Sequence, residues 1–204
     1  RPYKLAKQAM GDLVGSMAAY LRIRAGFYRN EADLNEVYGL LLKQQASVLE
    51  KQNLLNEVLF KTRHIVGEGT VIGRTLLLLY HELAELFERM ITSYQRYSVI
   101  DGFFKVIGIL EEYRDTVLML ADEIEELGLA IQSERTPKAN KKLRERLDQL
   151  EIGLDHFREK NINPDNIEGF ISLRRILQNI EDLEERMQTL RSLASFSQPL
   201  KKRS

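Results

Sequence analysis

Residues Ile100–Gln132 read IDGFFKVIGILEEYRDTVLMLADEIEELGLAIQ, and their spacing decides the fold class. Phe103, Val106, Leu110, Tyr113, Val117, Leu120, Ile124, Leu127 and Ile131 follow one another at alternating steps of three and four. On a helix such steps collect the apolar side chains into one long seam. A strand would need period two, and no segment of the chain keeps that period for long. Three-four spacing recurs from one end to the other, so the expected fold is all-α: an elongated antiparallel bundle of about six long helices.

Working outward, the first helix is expected over Tyr3 to Tyr28, with Ala6, Met10, Leu13, Met17, Tyr20 and Phe27 in a rhythm broken only at Arg24. Arg29 to Glu31 make a turn. A second helix, about Asp33 to Arg63, opens with Asp33 three residues before Glu36, a capping-box spacing. It continues through Leu34, Val37, Leu41, Val48, Leu55 and Val58. Gln44, Gln45, Gln52, Asn53 and Asn56 dilute its stripe, and either face solvent or form a hydrogen-bonded layer that specifies register. Gly67 and Gly69 suit positive φ, and Thr70 suits the cap of a third helix to about Tyr97 with Ile72, Leu76, Leu79, Leu83, Leu86 and Met90 inward. After the fourth helix, Ser133 to Thr136 turn the chain. Thr136-Pro137 then starts a fifth helix to about Lys160, and Asn163-Pro164 a sixth from Asp165 to about Phe196, with Leu173, Ile176, Ile180, Leu183, Met187 and Leu190 inward.

The 204 residues carry 30 basic and 30 acidic side chains, which gives no long-range field toward nucleic acid. At 44% hydrophobic and 29% charged the chain buries a core and is not disordered. Cysteine is absent, which excludes disulfides, thiolate metal sites and cysteine nucleophiles. Apolar runs such as Leu76–Tyr80 reach five residues, against the roughly 20 that cross a bilayer. The chain opens on Arg1 and closes on Lys201-Lys202-Arg203-Ser204, ends that suggest a single helical domain, 1–204, cut from a larger protein. Residues 1–98 hold 13 basic and 10 acidic groups and 99–204 hold 17 and 20, a difference too small to set a domain border.

The segment Gly67-Glu68-Gly69-Thr70-Val71-Ile72-Gly73-Arg74 has the glycines of a phosphate loop, but it follows a helix rather than a strand and lacks Gly-Lys-Ser/Thr. It reads as an interhelical turn, with an anion contact from Arg63, His64 and Arg74 as the remaining alternative. None of His64, His81 and His156 lies three residues after a Glu, so the pairs that build di-iron sites in bundles are missing. No metal, cofactor or catalytic site is expected, and the chain reads as a non-enzyme. Asp122, Glu123, Glu125 and Glu126 face Lys138, Lys141, Lys142, Arg144 and Arg146 across one turn, and antiparallel neighbours are expected to pair the two runs.

Leu41-Leu42-Lys43-Gln44-Gln45, Glu50-Lys51-Gln52, Glu57 to Arg63, Gly73-Arg74-Thr75-Leu76 and Glu85-Leu86-Phe87-Glu88 resemble the soluble segment of fusaric acid resistance-type (FUSC) inner-membrane proteins, closest to the YccS/YhfK branch. Arg1-Pro2-Tyr3, Tyr20-Leu21-Arg22 and Ala25-Gly26-Phe27-Tyr28 resemble the stretch that follows the first membrane helices there. The resemblance implies a cytoplasmic helical domain between two transmembrane halves of the same polypeptide, in a bacterial inner-membrane protein regarded as exporting aromatic acids or related compounds. It implies an assembly or regulatory role, homo-oligomer formation, no nucleic-acid partner, and basic ends (Arg1, Lys4, Lys7, Lys201, Lys202, Arg203) beside anionic lipid. An even number of antiparallel helices would return Lys201 to the end of the bundle that holds Arg1. The competing reading is a free-standing helical interaction protein.

Overall fold

The structure, a computed structural model, describes residues 3–66, 69–92, 97–100 and 108–197. Among the described residues six α-helices follow one another: α1 Lys4–Arg24, α2 Leu34–Val66, α3 Val71–Thr92, α4 Ile109–Gln132, α5 Lys141–Asn161 and α6 Ile167–Leu193. Short 3-10 turns occupy Ala25–Tyr28, Tyr97–Ile100 and Ala194–Ser197, and no strand is present among the described residues. The fold is the all-α bundle that the spacing predicts.

Cross-helix bonds give the directions. Gln132 at the end of α4 donates to the Gln8 carbonyl and to Asp12 near the start of α1, while Arg22 at the other end of α1 reaches Asp122 and Glu125; α1 and α4 are antiparallel. Tyr3 meets Thr70 before α3, and Arg24 meets Met90 near its end, so α1 and α3 are parallel. Tyr113 donates to the Leu173 carbonyl and Arg191 pairs with Glu123, which sets α6 parallel to α4. Helices thus alternate up and down, with α1 packed against α2, α3 and α4. The alternation returns Ala194–Ser197 to the end from which α1 starts. Arg1, Lys201, Lys202 and Arg203 lie outside the described residues.

The α4 seam is buried throughout its described length: Leu110, Tyr113, Val117, Leu120, Ile124, Leu127 and Ile131. Phe103 and Val106 lie outside it. α4 begins at Ile109 rather than Ile100, because Gly108 at φ 78 breaks the helical path. The apolar residues read from the first and sixth helices are likewise buried. On α3, Leu76, Leu79, Leu83, Leu86 and Met90 are buried, but Ile72 is 37% exposed. α3 closes at Thr92 and Tyr97 belongs to a separate 3-10 turn.

Caps set the other boundaries. Glu36 N donates to Asp33 Oδ1 at 3.2 Å, and Gly73 N to Thr70 Oγ1 at 3.1 Å, the two N-caps the sequence predicts. Gly69 has φ 102, whereas Gly67 lies outside the described residues. α5 starts at Lys141 and not after Thr136-Pro137. Asn140 caps it, accepting from Lys142 N at 3.0 Å while its own N–H is held by Glu123 Oε1 at 2.6 Å, and this anchorage keeps 135–140 out of the helix. Asn163 accepts from the N–H groups of Asp165 and Asn166, so the Asn163-Pro164 device works one turn before α6. α4 ends in a Schellman turn, with Arg135 N on Ala130 O, Glu134 N on Ile131 O, and Glu134 at φ 54.

Among the described residues no side-chain ion pair joins the two charge runs around this turn, although the Lys138 N–H and its charge act on Glu126. Asp122 and Glu125 face α1 and bind Arg22, Glu126 binds Arg135 of the turn, and Glu123 faces α6 and binds Arg191. Successive helical residues point about 100° apart, so a run of four acids is shared among three neighbours. Arg144 of α5 turns to Asp148 and to Glu184 on α6.

Candidate functional site

The one residue that breaks the apolar rhythm of α1 sits in its core. Arg24 is 4% exposed; it occupies the step between Tyr20 and Phe27 where the seam calls for an apolar side chain. Its Nε donates to Tyr97 Oη at 3.2 Å and its Nη1 to the Met90 carbonyl at 3.4 Å, while Nη2 is buried without a hydrogen-bond partner. The Tyr28 hydroxyl is also buried without one. Among the described residues no carboxylate pairs with Arg24.

Aromatic rings close around this cation. Phe27 stacks on Tyr97 with centroids 3.9 Å apart, Tyr28 meets Tyr97 edge-on at 5.6 Å, and Tyr38 leans on Phe27 at 4.7 Å. Beside them a cavity of about 250 Å³ is lined by Tyr20, Arg24, Tyr38, Leu41, Gln45 and Met90, among others. Burial pushes the phenol pKa values of Tyr20, Tyr28 and Tyr113 up, so these three hydroxyls stay neutral. Burial also works against the charge of Arg24, and its hydrogen bond to Tyr97 works for it; its pKa ends above the ordinary value and the guanidinium remains protonated.

The carbonyl it binds explains how a lone cation is tolerated. Met90 lies in the last turn of α3, so the guanidinium sits at that helix's C-terminus, whose unpaired carbonyls carry partial negative charge. The arrangement ties α1, α3 and the Tyr97–Ile100 turn together. The sequence showed the signal, a charged residue at a core step, but the aromatic cage comes from three segments separated by tens of residues.

A second buried polar node lies nearer the other end. Glu123, 6% exposed, receives Asn140 N at 2.6 Å and Arg191 Nη1 at 2.8 Å, joining α4, the start of α5 and α6. Burial pushes its carboxyl above the ordinary range further than Asn140 and Arg191 pull it back.

Of the residues singled out from the sequence, Arg63 is half-buried in the last turn of α2, and His64 and Arg74 are exposed on either side of the α2–α3 connection. The N–H at the first turn of α3 is already taken by Thr70, whose hydroxyl lies 2.5 Å from Tyr3 Oη. Lys4 is exposed, whereas Lys7 is 8% exposed and pairs with Glu134 at 3.2 Å. His81 and His156 are exposed too, and among the described residues no three His, Cys, Asp or Glu side chains gather where they could hold a metal. Of the amides on α2, Gln44 donates to the Ser16 carbonyl at 2.9 Å, Gln45 and Gln52 are half-buried, and Asn53 and Asn56 are exposed.

Fold and site define an all-helical bundle organised around buried ion and cation nodes, and among the described residues no helix is long and apolar enough to cross a membrane. The chain belongs to the FUSC-like family: the model described as FUSC-like inner membrane protein yccS matches residues 1–187. No curated protein and no solved structure matches it.

Proposed function

We propose that the chain is the cytoplasmic helical domain of a transporter-type inner-membrane protein. It serves assembly or regulation, while the pore belongs to membrane-embedded halves elsewhere in the polypeptide. The observation that carries this reading is the coincidence of an inner-membrane family match over residues 1–187 with helices that are amphipathic rather than apolar. The up-and-down count supports it, because both connections of a domain inserted between membrane halves must reach one bilayer face. The basic residues of the two termini, Arg1, Lys4, Lys201, Lys202 and Arg203, would each gain roughly 1 kcal/mol beside anionic lipid. In this reading the bundle is not an enzyme, and efflux of aromatic acids or related compounds is a property of the complete protein.

A reporter inserted at the α2–α3 connection of the complete protein tests the side of the membrane. Fluorescence of a fused green protein and inactivity of a fused alkaline phosphatase are expected; phosphatase activity would overturn the cytoplasmic assignment. A reading frame without runs of about 20 apolar residues on both sides of this segment would favour the free-standing interaction protein.

A further inference from the structure

Arg24 is a buried cation one partner short, and a cavity opens beside it. Its Nε and Nη1 donate to Tyr97 and to the Met90 carbonyl, while Nη2 has no acceptor. Arg24, Tyr97 and Met90 all line the cavity of about 250 Å³, so the guanidinium group stands at its wall. Among the described residues no acidic side chain lines it. Gln45, half-buried in the same wall, makes no side-chain hydrogen bond among the described residues. A buried guanidinium N–H without an acceptor is costly, and an incoming acceptor removes that cost.

We propose that this cavity binds a short aliphatic monocarboxylate, with its carboxylate on Arg24 and its chain along Leu41, Leu42, Met90 and Ile91. The charge follows from Arg24 being the one cation of the lining. A monoanion neutralises it, whereas a dianion brings an unpaired charge against apolar walls. A planar carboxylate suits the guanidinium edge, and the Gln45 amide offers a second donor. The chain follows from the walls. Phe27 stacks on Tyr97 at 3.9 Å and meets Tyr38 at 4.7 Å, and Tyr28 sets its edge against Tyr97, so these ring faces are taken up by one another rather than offered to a flat ligand. Aliphatic and thioether surface remains, with Leu42, 68% exposed, at the mouth. The volume equals about eight waters at ~30 Å³ each, room for a chain of about six carbons. Tyr20 and Arg24 come from α1, Leu41 and Gln45 from α2, and Met90 and Ile91 from α3, so a ligand seated here fastens three helices at the end of the bundle away from the start of α1. The site belongs to the bundle itself and stands whichever side of a membrane the bundle occupies.

Sodium hexanoate is the probe, titrated into the 204-residue chain. It should raise the thermal midpoint saturably, as a ligand of the folded state does. It should also move the methyl resonances of Leu42 and Met90 but not that of Ile152, exposed on α5. Hexan-1-ol and sodium chloride at matched concentration should do neither, and benzoate should bind more weakly than hexanoate. Arg24→Met should weaken hexanoate binding by roughly tenfold or more, the loss of a charge-assisted hydrogen bond. Leu42→Ala, whose side chain is mostly in solvent without ligand, should keep the fold and weaken binding too; with the methyl shifts it decides the matter if Arg24→Met does not fold. The proposal is overturned by the absence of a saturable response in the millimolar range, or by methyl shifts that fall outside the cavity. Hexan-1-ol or benzoate binding as tightly as hexanoate, or unchanged affinity in folded Arg24→Met or in Leu42→Ala, overturns it as well.

Discussion

Gly128 of α4 lies over the carbonyl of Gly11 on α1: a Cβ placed on Gly128 would stand 3.1 Å from that oxygen and 3.2 Å from Val14. A Cβ on Gly11 would in turn collide with the side chain of Gln132. Two glycines at one crossing let the α1 and α4 backbones approach closely enough for Gln132 to reach the Gln8 carbonyl.

Gly128→Ala is therefore expected to cost about 1 to 3 kcal/mol, as overpacked sites do, read as a lower urea midpoint at unchanged slope. Gly153, exposed within α5 with nothing near its Cβ position, is the control. Gly153→Ala should stabilise by about 0.5 to 1 kcal/mol through helix propensity alone. Equal effects at the two positions would refute the close crossing.

Arg24 and Tyr97 should respond in an unusual order. Arg24→Met removes a desolvated charge together with its hydrogen bonds and is expected to change stability by less than about 1.5 kcal/mol. Tyr97→Phe leaves the charge buried and deprives it of an acceptor, at a cost of about 1 to 3 kcal/mol. Chemical denaturation of both variants checks the ranking; a larger loss in Arg24→Met would mean that its bonds outweigh its desolvation.

At the Glu123 node, Glu123→Ala strands Arg191 and leaves Asn140 N without its acceptor, with an expected loss of about 3 to 5 kcal/mol. Glu123→Gln keeps an acceptor and should lose about 1.5 to 3 kcal/mol. By contrast Asp122→Ala, at an exposed pair with Arg22, should lie within about 1 kcal/mol of the parent. A double-mutant cycle between positions 123 and 191 should show coupling well above that of 122 and 22.

The α5–α6 groove predicts a pH dependence. Burial pushes the Glu181 carboxyl up to about 7, helped by its hydrogen bond to Glu151 and the charge of that neighbour. A carboxyl whose folded pKa exceeds its unfolded value holds more protons folded than unfolded, so its contribution favours the fold at low pH and is lost as pH rises. Between the ordinary glutamate pKa of about 4.3 and about pH 7 the thermal midpoint should fall, and Glu181→Gln should flatten that slope and raise the midpoint at pH 8. Glu126 and Asp155, whose pKa values Arg135 and Arg174 depress, act only below that window. A midpoint in Glu181→Gln that still falls as steeply would refute this.

What the sequence by itself determined is everything carried by local periodicity and by short-range hydrogen bonds: the all-α class, the buried seams of α1, α4 and α6, and the caps at Asp33 and Thr70. A seam is legible because burying one face of a helix imposes the same three-four spacing whatever the helix packs against. What only the tertiary structure decided is which neighbour each surface or core polar group meets. Thr136-Pro137 had the chemistry of a helix start, yet Asn140 took that role because Glu123, 17 residues earlier, holds its N–H. The acidic run after Leu120 looked destined for the basic run on α5, yet its members go to Arg22, Arg135 and Arg191, because a turn of 100° per residue distributes neighbours in sequence among different partners in space. Arg24 could be seen to interrupt a rhythm, but that Phe27, Tyr28 and Tyr97 enclose it follows from the docking of α3 and the Tyr97–Ile100 turn on α1. Long-range pairing depends on the relative placement of rigid helices, which no local pattern encodes.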